Sequence, residues 1–552
     1  MTDILKRGIS LLLRRQTNIL SAAFIIMSTV ILSQVLGLVR QRLLVSIFGA
    51  SDILGIYYYS SKLPDYIFQL VIAAALSSAF IPVFSNLLAK KNNADANQLA
   101  STLLTIGLGA FFILALILFL FAPFFLQIFN LGSNFSPDQM TLMVNLMRII
   151  LFGQLLFIVG TFFTALLQSH NHFFIPGIAA ATYNFGIILG VIFFSEKYGI
   201  YSAPFGVILG SLIFILLQIP LVKKIGFSFT PSFTLSPSVK KVFQLMWPRT
   251  ISIFIMYFGT IIIASLTSYL TNPGRMHLIY DLAQTLAFAP VALFGNTIAQ
   301  AALPILSREK DNMTDFKATF LASFNQVLYL VLPISALILV LRIPIVRLIY
   351  GADLFDWDAT VLTGRTLAFF ALSIFAQALI TLTYRAFYAL HNTLIPLVVG
   401  GLSTIGLIIL GYTFIIIFHF GVQSLAIAYS IASVLQLIAL FFLLDHKTGG
   451  FNKKELLLSS TKFLFATILT GLALYIPLKL LDQLVFDTTR TINLIMLTGI
   501  SSLAGMTLYL FLTWIFNIKE ATTYLLIFRR IGNWREILGR SEEVIASNKV
   551  NP

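Results

Sequence analysis

The chain has 552 residues, 58% hydrophobic and only 10% charged, with a mean hydropathy of +0.93. A soluble fold of this size covers itself with about 25% charged residues, so a cytosolic enzyme is excluded and lipid is the expected solvent. The net charge of +15 reads as basic loops against anionic lipid, not nucleic-acid binding, since no soluble basic domain is present; the absence of Cys rules out disulfides, thiolate metal sites and cysteine nucleophiles.

In chain order, residues 4–16 read as an interfacial segment ahead of the first membrane span. Apolar stretches of about 20 residues, the length a bilayer core demands, predict fourteen spans at 20–39, 53–84, 100–128, 141–167, 173–195, 201–222, 243–270, 279–303, 319–341, 361–384, 394–418, 423–444, 463–482 and 492–516. The second exceeds the hydrocarbon thickness and carries Lys62, Pro64 and Asp65, so part of it is expected to line a cavity or lie at an interface. Beyond Lys519 the chain mixes Tyr524, Leu525 and Trp534 with Arg529, Arg530 and Arg535, the pattern of an amphipathic helix on the inner leaflet.

Lys and Arg gather in cytoplasmic loops. With an even number of spans and both termini inside, 24 of the 36 basic residues fall on the cytoplasmic side and nine outside. This predicts a multi-pass protein of the bacterial inner membrane with both ends cytoplasmic.

The sequence also repeats itself. Ala79-Phe80-Ile81-Pro82 through Ser85 matches Ala301-Ala302-Leu303-Pro304 through Ser307 at an offset of 222; His170-Asn171 returns as His391-Asn392 at 221, and Gly199 through Ser202 as Gly421 through Ser424 at 222. Six spans form each copy, and because six is even both copies face the same way, a parallel repeat about an axis along the membrane normal. The expected fold is an all-α polytopic membrane protein with about 14 transmembrane helices. Its parts are a cytoplasmic interfacial segment (1–19), an N-lobe of six helices (20–222), a basic linker (223–242), a C-lobe of six helices (243–445), an extra helix pair (446–518) and a cytoplasmic tail (519–552). Two such lobes related by a pseudo-twofold can enclose a cleft and rock about it, as a carrier does.

Ser33-Gln34-Val35-Leu36-Gly37-Leu38-Val39-Arg40, Ile47-Phe48-Gly49-Ala50, Lys62-Leu63-Pro64, Ala79-Phe80-Ile81-Pro82 and Arg385-Ala386-Phe387-Tyr388-Ala389-Leu390 together resemble the MurJ/MviN lipid II flippases of the multidrug/oligosaccharidyl-lipid/polysaccharide exporter superfamily. The resemblance runs from about residue 20 to 445. It implies a cationic central cavity for an undecaprenyl-pyrophosphate-linked disaccharide-pentapeptide and a lipid-facing groove at the last two helices. Arg40 matches a family arginine that meets the pyrophosphate. Where relatives carry further cavity arginines this sequence has Gln34, Phe68 beside Gln69, and Thr285, and the acidic position after Gly49-Ala50 aligns near Gly55, with Asp52 close by.

A doubly anionic group crossing hydrocarbon needs cations in a wet cleft. The candidates are Arg40, Arg42, Lys62 and Arg249, with Gln34 and Gln69 as polar contacts. For Arg40 and Arg42 the alternative is an interfacial anchor whose stem snorkels to headgroups, for Arg249 a cytoplasmic anchor, and for Lys62 a structural salt bridge. Asp65 and Asp281 are the carboxylates expected well inside helices and so candidates for ion coupling; Asp281 alternatively caps the eighth helix. Asp353, Asp356 and Asp358 crowd one outer loop and read as solvated, and His170 with His172 as a turn and not a metal site. No phosphate-binding Gly-rich loop with Lys-Ser/Thr occurs, and neither a catalytic residue, a metal nor a cofactor is expected. The reading is a flippase moving lipid II outward by alternating access. Its alternatives are an exporter of another polyprenyl-linked oligosaccharide or small organic cation on the same fold, and a membrane glycosyltransferase using the outer aspartates. The expected partners are an undecaprenyl-pyrophosphate-linked glycolipid and membrane lipids, with no nucleic acid.

Overall fold

A computed structural model describes residues 19–73, 79–488 and 490–521. The expected interfacial segment 4–16 and nearly all of the tail from 519 onward lie outside them.

The described chain is helical, without a strand among the described residues. The helices are α1 (Ile19–Phe48), α2 (Asp52–Phe68), α3 (Ile81–Ala89), α4 (Asn93–Leu120), α5 (Ala122–Ile128), α6 (Pro137–Ser169), α7 (Phe174–Tyr198), α8 (Ser202–Lys224), α9 (Pro237–Thr267) and α10 (Pro273–Pro290). They continue with α11 (Asn296–Arg308), α12 (Met313–Val340), α13 (Arg342–Tyr350), α14 (Trp357–Ala371), α15 (Ile374–Ala389), α16 (Leu394–Tyr412), α17 (Gln423–Lys447), α18 (Lys453–Leu484) and α19 (Thr491–Ile515). Among the described residues ten helical stretches are long and apolar enough to cross a membrane, or eleven if α14 and α15, bent by 44°, form one span. Many exposed side chains are large and apolar, among them Phe112, Ile113 and Leu120 on α4, the inverse of a soluble surface.

The helix ends show where apolar length misleads. The first span was expected to stop at residue 39, but α1 runs on through Arg40 and Arg42 to Phe48. What stops it is Gly49 at φ +68°, where a Cβ would meet the Leu354 carbonyl oxygen at 2.7 Å. Ser51 then caps α2, its Oγ accepting from the Leu54 N–H at 3.3 Å. The third expected span divides: α4 ends at Leu120, and Pro123 sits in the first turn of α5.

The chain falls into two compact units, Met1–Ala283 with Ile349–Thr366 and Gly400–Tyr429, and Gln284–Leu348 with Leu367–Val399 and Ser430–Pro552. In the first, α7 and α8 pack through glycines. A Cβ on Gly186 would lie 2.2 Å from the Gly210 Cα, and one on Gly190 2.5 Å from the Gly206 Cα, the close backbone approach that small residues give lipid-embedded helices. Segment 227–236 has no helix of its own and runs beside α4, where Asn97, Ser101 and Thr105 bond Ser228, Thr230 and Ser232 in turn. Four residues of helix rise about 6 Å and two of extended chain about 6.6 Å, so the rungs stay in step. In the second unit Tyr509 of α19 donates to the Tyr329 carbonyl of α12 at 2.8 Å, and Phe320 and Phe441 stack on Phe451.

Candidate functional site

The first unit gathers charge inside an otherwise apolar helix packing. On α2, Tyr58, Lys62 and Asp65 recur at helical spacing and share a face. α10 presents His277 and Asp281 one turn apart. α1 brings Arg40, α6 Gln154 and α7 Tyr183.

Lys62 Nζ lies 2.8 Å from Asp281 Oδ1, the two side chains being only 20% and 21% exposed. Asp65 Oδ1 accepts from Gln154 Nε2 at 2.6 Å. Tyr57, Tyr58, Tyr183 and Asp65 lie within electrostatic range of the Arg40 guanidinium. His277 is buried with its Nε2 4.0 Å from Asp281 Oδ1. Its Nδ1 meets Thr267 Oγ1 at 3.1 Å, and that oxygen also meets the Tyr59 hydroxyl at 2.6 Å.

Four buried polar atoms here have no hydrogen-bond partner in the protein: Arg40 Nε, Tyr58 OH, Gln154 Oε1 and His277 Nε2. Each such atom costs about 1–3 kcal/mol in a dry core, so a cluster of them fits a place that receives a polar ligand better than one built for stability. Two basic side chains, Arg40 and Lys62, share the site with two acidic ones, Asp65 and Asp281.

The structure thus joins residues to which the sequence gave separate roles, Arg40 and Lys62 as anion binders and Asp65 and Asp281 as coupling groups. Two expectations change. The salt bridge of Lys62 runs to Asp281, 219 residues away, and not to its near neighbour Asp65. Asp281 is no cap: α10 begins at Pro273, two turns earlier. Arg42 is exposed and donates to the Ile349 carbonyl at 3.2 Å, apart from the cluster. Gln34 is exposed, and Gln69 opens the π-helical turn Gln69–Ala73. Arg249 lies in α9, and its side chain is outside the described set. Sequence reasoning missed Tyr57, Tyr58, Gln154, Tyr183 and His277; the run Tyr57-Tyr58-Tyr59 and the one-turn spacing of His277 and Asp281 were the available signals.

At the N-terminal end of α2 a second polar group forms. Asp52 Oδ1 accepts from the Arg275 N–H at 2.8 Å, capping α10, while the Arg275 guanidinium reaches Asp356 at 2.9 Å and Asp358 at 3.0 Å. The acidic side chain near Gly49-Ala50 is therefore Asp52; Gly55 has no room for one, since a Cβ there would lie 1.9 Å from the Gly274 carbonyl oxygen. Asp356 and Asp358 are engaged in this pairing, while Asp353 is exposed. Burial works against ionised Asp356, yet the Ala359 N–H and the Arg275 guanidinium outweigh it and hold that carboxyl below its usual range. His170 Nδ1 meets the Leu166 carbonyl oxygen at 3.0 Å, and among the described residues there is no group of three metal-ligating side chains.

Comparison with known proteins identifies the relatives of this arrangement. A family model described as lipid II flippase MurJ matches residues 44–496. A probable lipid II flippase MurJ of Buchnera aphidicola subsp. Acyrthosiphon pisum is 26% identical over 517 residues, covering 91% of this chain and 98% of the relative. One from Thermotoga maritima is 26% identical over 447 residues, covering 79% and 87%. Among solved structures, a lipid II flippase MurJ in an inward closed conformation superposes with TM-score 0.72 at 22% identity, over 89% of this chain and 98% of that one. An inward-facing multidrug resistance MATE family transporter of the MOP superfamily gives TM-score 0.64 at 13% identity, over 75% and 94%.

Proposed function

The chain belongs to the lipid II flippase MurJ family, so its activity is the transfer of lipid II across the membrane, and we propose that Arg40 and Lys62 receive the substrate's pyrophosphate. The cargo is an undecaprenyl-pyrophosphate-linked disaccharide-pentapeptide, carried from inner to outer leaflet by alternating access. The observations that carry the site assignment are the buried Arg40 Nε without a hydrogen-bond partner in the protein and the partly buried Lys62 ammonium, held 2.8 Å from Asp281. A guanidinium and an ammonium in a low-dielectric setting make charge-assisted bonds to phosphate oxygens.

The proposal extends to architecture: about fourteen spans, six in each of two lobes related by a parallel pseudo-twofold, followed by a helix pair. Recurring local structure supports it. A π-helical turn occupies Gln69–Ala73 and again Val291–Gly295, 222 residues on. Asn92 caps α4 through Asp95, and Asn312 caps α12 through Asp315, 220 residues on. Asn97 donates to the Ser228 carbonyl and Lys317 to the Gly450 carbonyl, at offsets of 220 and 222. The basic-residue bias supports cytoplasmic termini in a bacterial inner membrane.

The test is growth of a flippase-depleted strain carrying Arg40→Ala, with outward-facing lipid II measured and protein level monitored. Loss of both growth and surface lipid II at normal protein level is expected. Normal growth refutes the role of Arg40, and preference of the purified protein for another polyprenyl diphosphate refutes the choice of cargo.

A further inference from the structure

A site that binds a lipid pyrophosphate has a competitor problem. Bulk membrane lipids carry singly charged phosphodiesters in great excess, and any uncommitted buried cation attracts them. Here Lys62 is not uncommitted. Asp281 holds it at 2.8 Å, and a set of hydrogen bonds frames that pair. The Tyr59 hydroxyl, one turn before Lys62, contacts Thr267 Oγ1 at 2.6 Å and donates to the Ala264 carbonyl at 3.1 Å. The same Thr267 oxygen meets His277, one turn before Asp281, at 3.1 Å. The rings of Tyr59 and His277 lie 4.3 Å apart at a tilt of 30°. α2 and α10 are thus pinned one helical turn from the ion pair, so the carboxylate is presented to the ammonium in a fixed place. Nearby, Asp65 Oδ1 accepts from Gln154 Nε2 at 2.6 Å.

Resting on the reading that Lys62 meets the substrate's pyrophosphate, we propose that Asp281 is a built-in competitor for Lys62 that sets selectivity for a doubly charged pyrophosphate over singly charged phosphodiester lipids. In the empty site Asp281 occupies the ammonium. A singly charged phosphodiester exchanges one anion for another and costs Asp281 its 2.8 Å ion pair with Lys62 in a partly buried place, which is unfavourable. A pyrophosphate brings two charged phosphates, engaging Arg40 and Lys62 together. When the lipid leaves, Asp281 reclaims Lys62, which favours release and limits product retention.

The experiment compares wild type, Asp281→Asn, Lys62→Gln and the double variant, each purified in nanodiscs, for binding of lipid II and for its inhibition by phosphatidylglycerol. In Asp281→Asn lipid II is expected to bind at least ~10-fold tighter, about 1.4 kcal/mol, with slower release. Phosphatidylglycerol is expected to gain more than lipid II does, its inhibition constant falling at least ~10-fold further, so that the preference for lipid II shrinks. The double variant loses both gains. Unchanged or weakened lipid II binding in folded Asp281→Asn, or unchanged inhibition by phosphatidylglycerol, overturns the competitor role while leaving the pyrophosphate reading intact. If Asp281→Asn does not fold, Lys62→Gln decides. Lipid II binding must fall while phosphatidylglycerol inhibits no better than in wild type; wild-type lipid II affinity in Lys62→Gln overturns the competitor role together with the pyrophosphate role of Lys62.

Discussion

Replacing Gly55 by Ala adds a single methyl group where α2 crosses α10, and the structure allows its effect to be worked through. The new Cβ would lie 1.9 Å from the Gly274 carbonyl oxygen, 2.1 Å from its carbon and 2.4 Å from its Cα, all backbone atoms that cannot rotate away. Ordinary contact begins near 3.4 Å, so the two helices must separate locally by roughly 1.5 Å, since packed interiors have no slack to absorb it. That shift stretches the Asp52 to Arg275 N–H bond from 2.8 Å to beyond hydrogen-bonding reach. Overpacking costs about 1–3 kcal/mol, and a lost bond to a charged acceptor a further ~1.5–3 kcal/mol. The matched control is Gly109→Ala on α4, where a Cβ meets nothing within 4 Å; there the helix gains about 0.5–1 kcal/mol in propensity. Thermal unfolding of the two purified variants in one detergent reads the difference directly, and flippase complementation reads its functional cost. Equal unfolding temperatures for Gly55→Ala and Gly109→Ala would refute the claim that α2 and α10 touch through bare backbone.

Gly186→Leu places a branched side chain where a Cβ alone would come within 2.2 Å of the Gly210 Cα; expected are loss of folded protein in the membrane and an unfolding temperature well below that of Gly471→Leu, whose Cβ position is open. Asp356 gives a pH prediction. Its carboxyl is held below the ordinary value of 3.8, so its contribution is complete above that value and is lost as pH falls through the lower folded one. Hydrogen exchange at the Ala359 amide, which Asp356 Oδ1 accepts at 2.7 Å, should stay equally protected from neutrality down to about pH 4 and lose protection below. Asp356→Asn should weaken it already at pH 7, and Asp353→Asn should leave it unchanged.

The helices were legible because the bilayer imposes one length on them and leaves no alternative for their backbone groups. Their ends were not. α1 outlasts its apolar run because Arg40 sits on a buried face and Arg42 at an exposed one, and only the left-handed turn at Gly49 stops it. Arg40, Lys62, Asp65 and Asp281 were each recognisable as charges expensive to embed. Their union was not, since Lys62 and Asp281 are 219 residues apart and a sequence read locally pairs Lys62 with Asp65. Gln154 and Tyr58 escaped notice for a related reason: their importance lies in buried atoms left unpaired, which depends on tertiary neighbours and leaves no composition signal.

The ladder between α4 and segment 227–236 constrains how this chain tolerates indels. Each rung at Asn97, Ser101 and Thr105 is keyed to alternate residues of the passing segment. Adding one residue between Ser228 and Ser232 therefore swaps the inward and outward side chains of the extended residues that follow, up to Ser236, whereas the same addition between Ile225 and Phe227 costs only slack. Natural length variation in this crossing, and any tag or cleavage site engineered into it, is best accommodated ahead of the first rung.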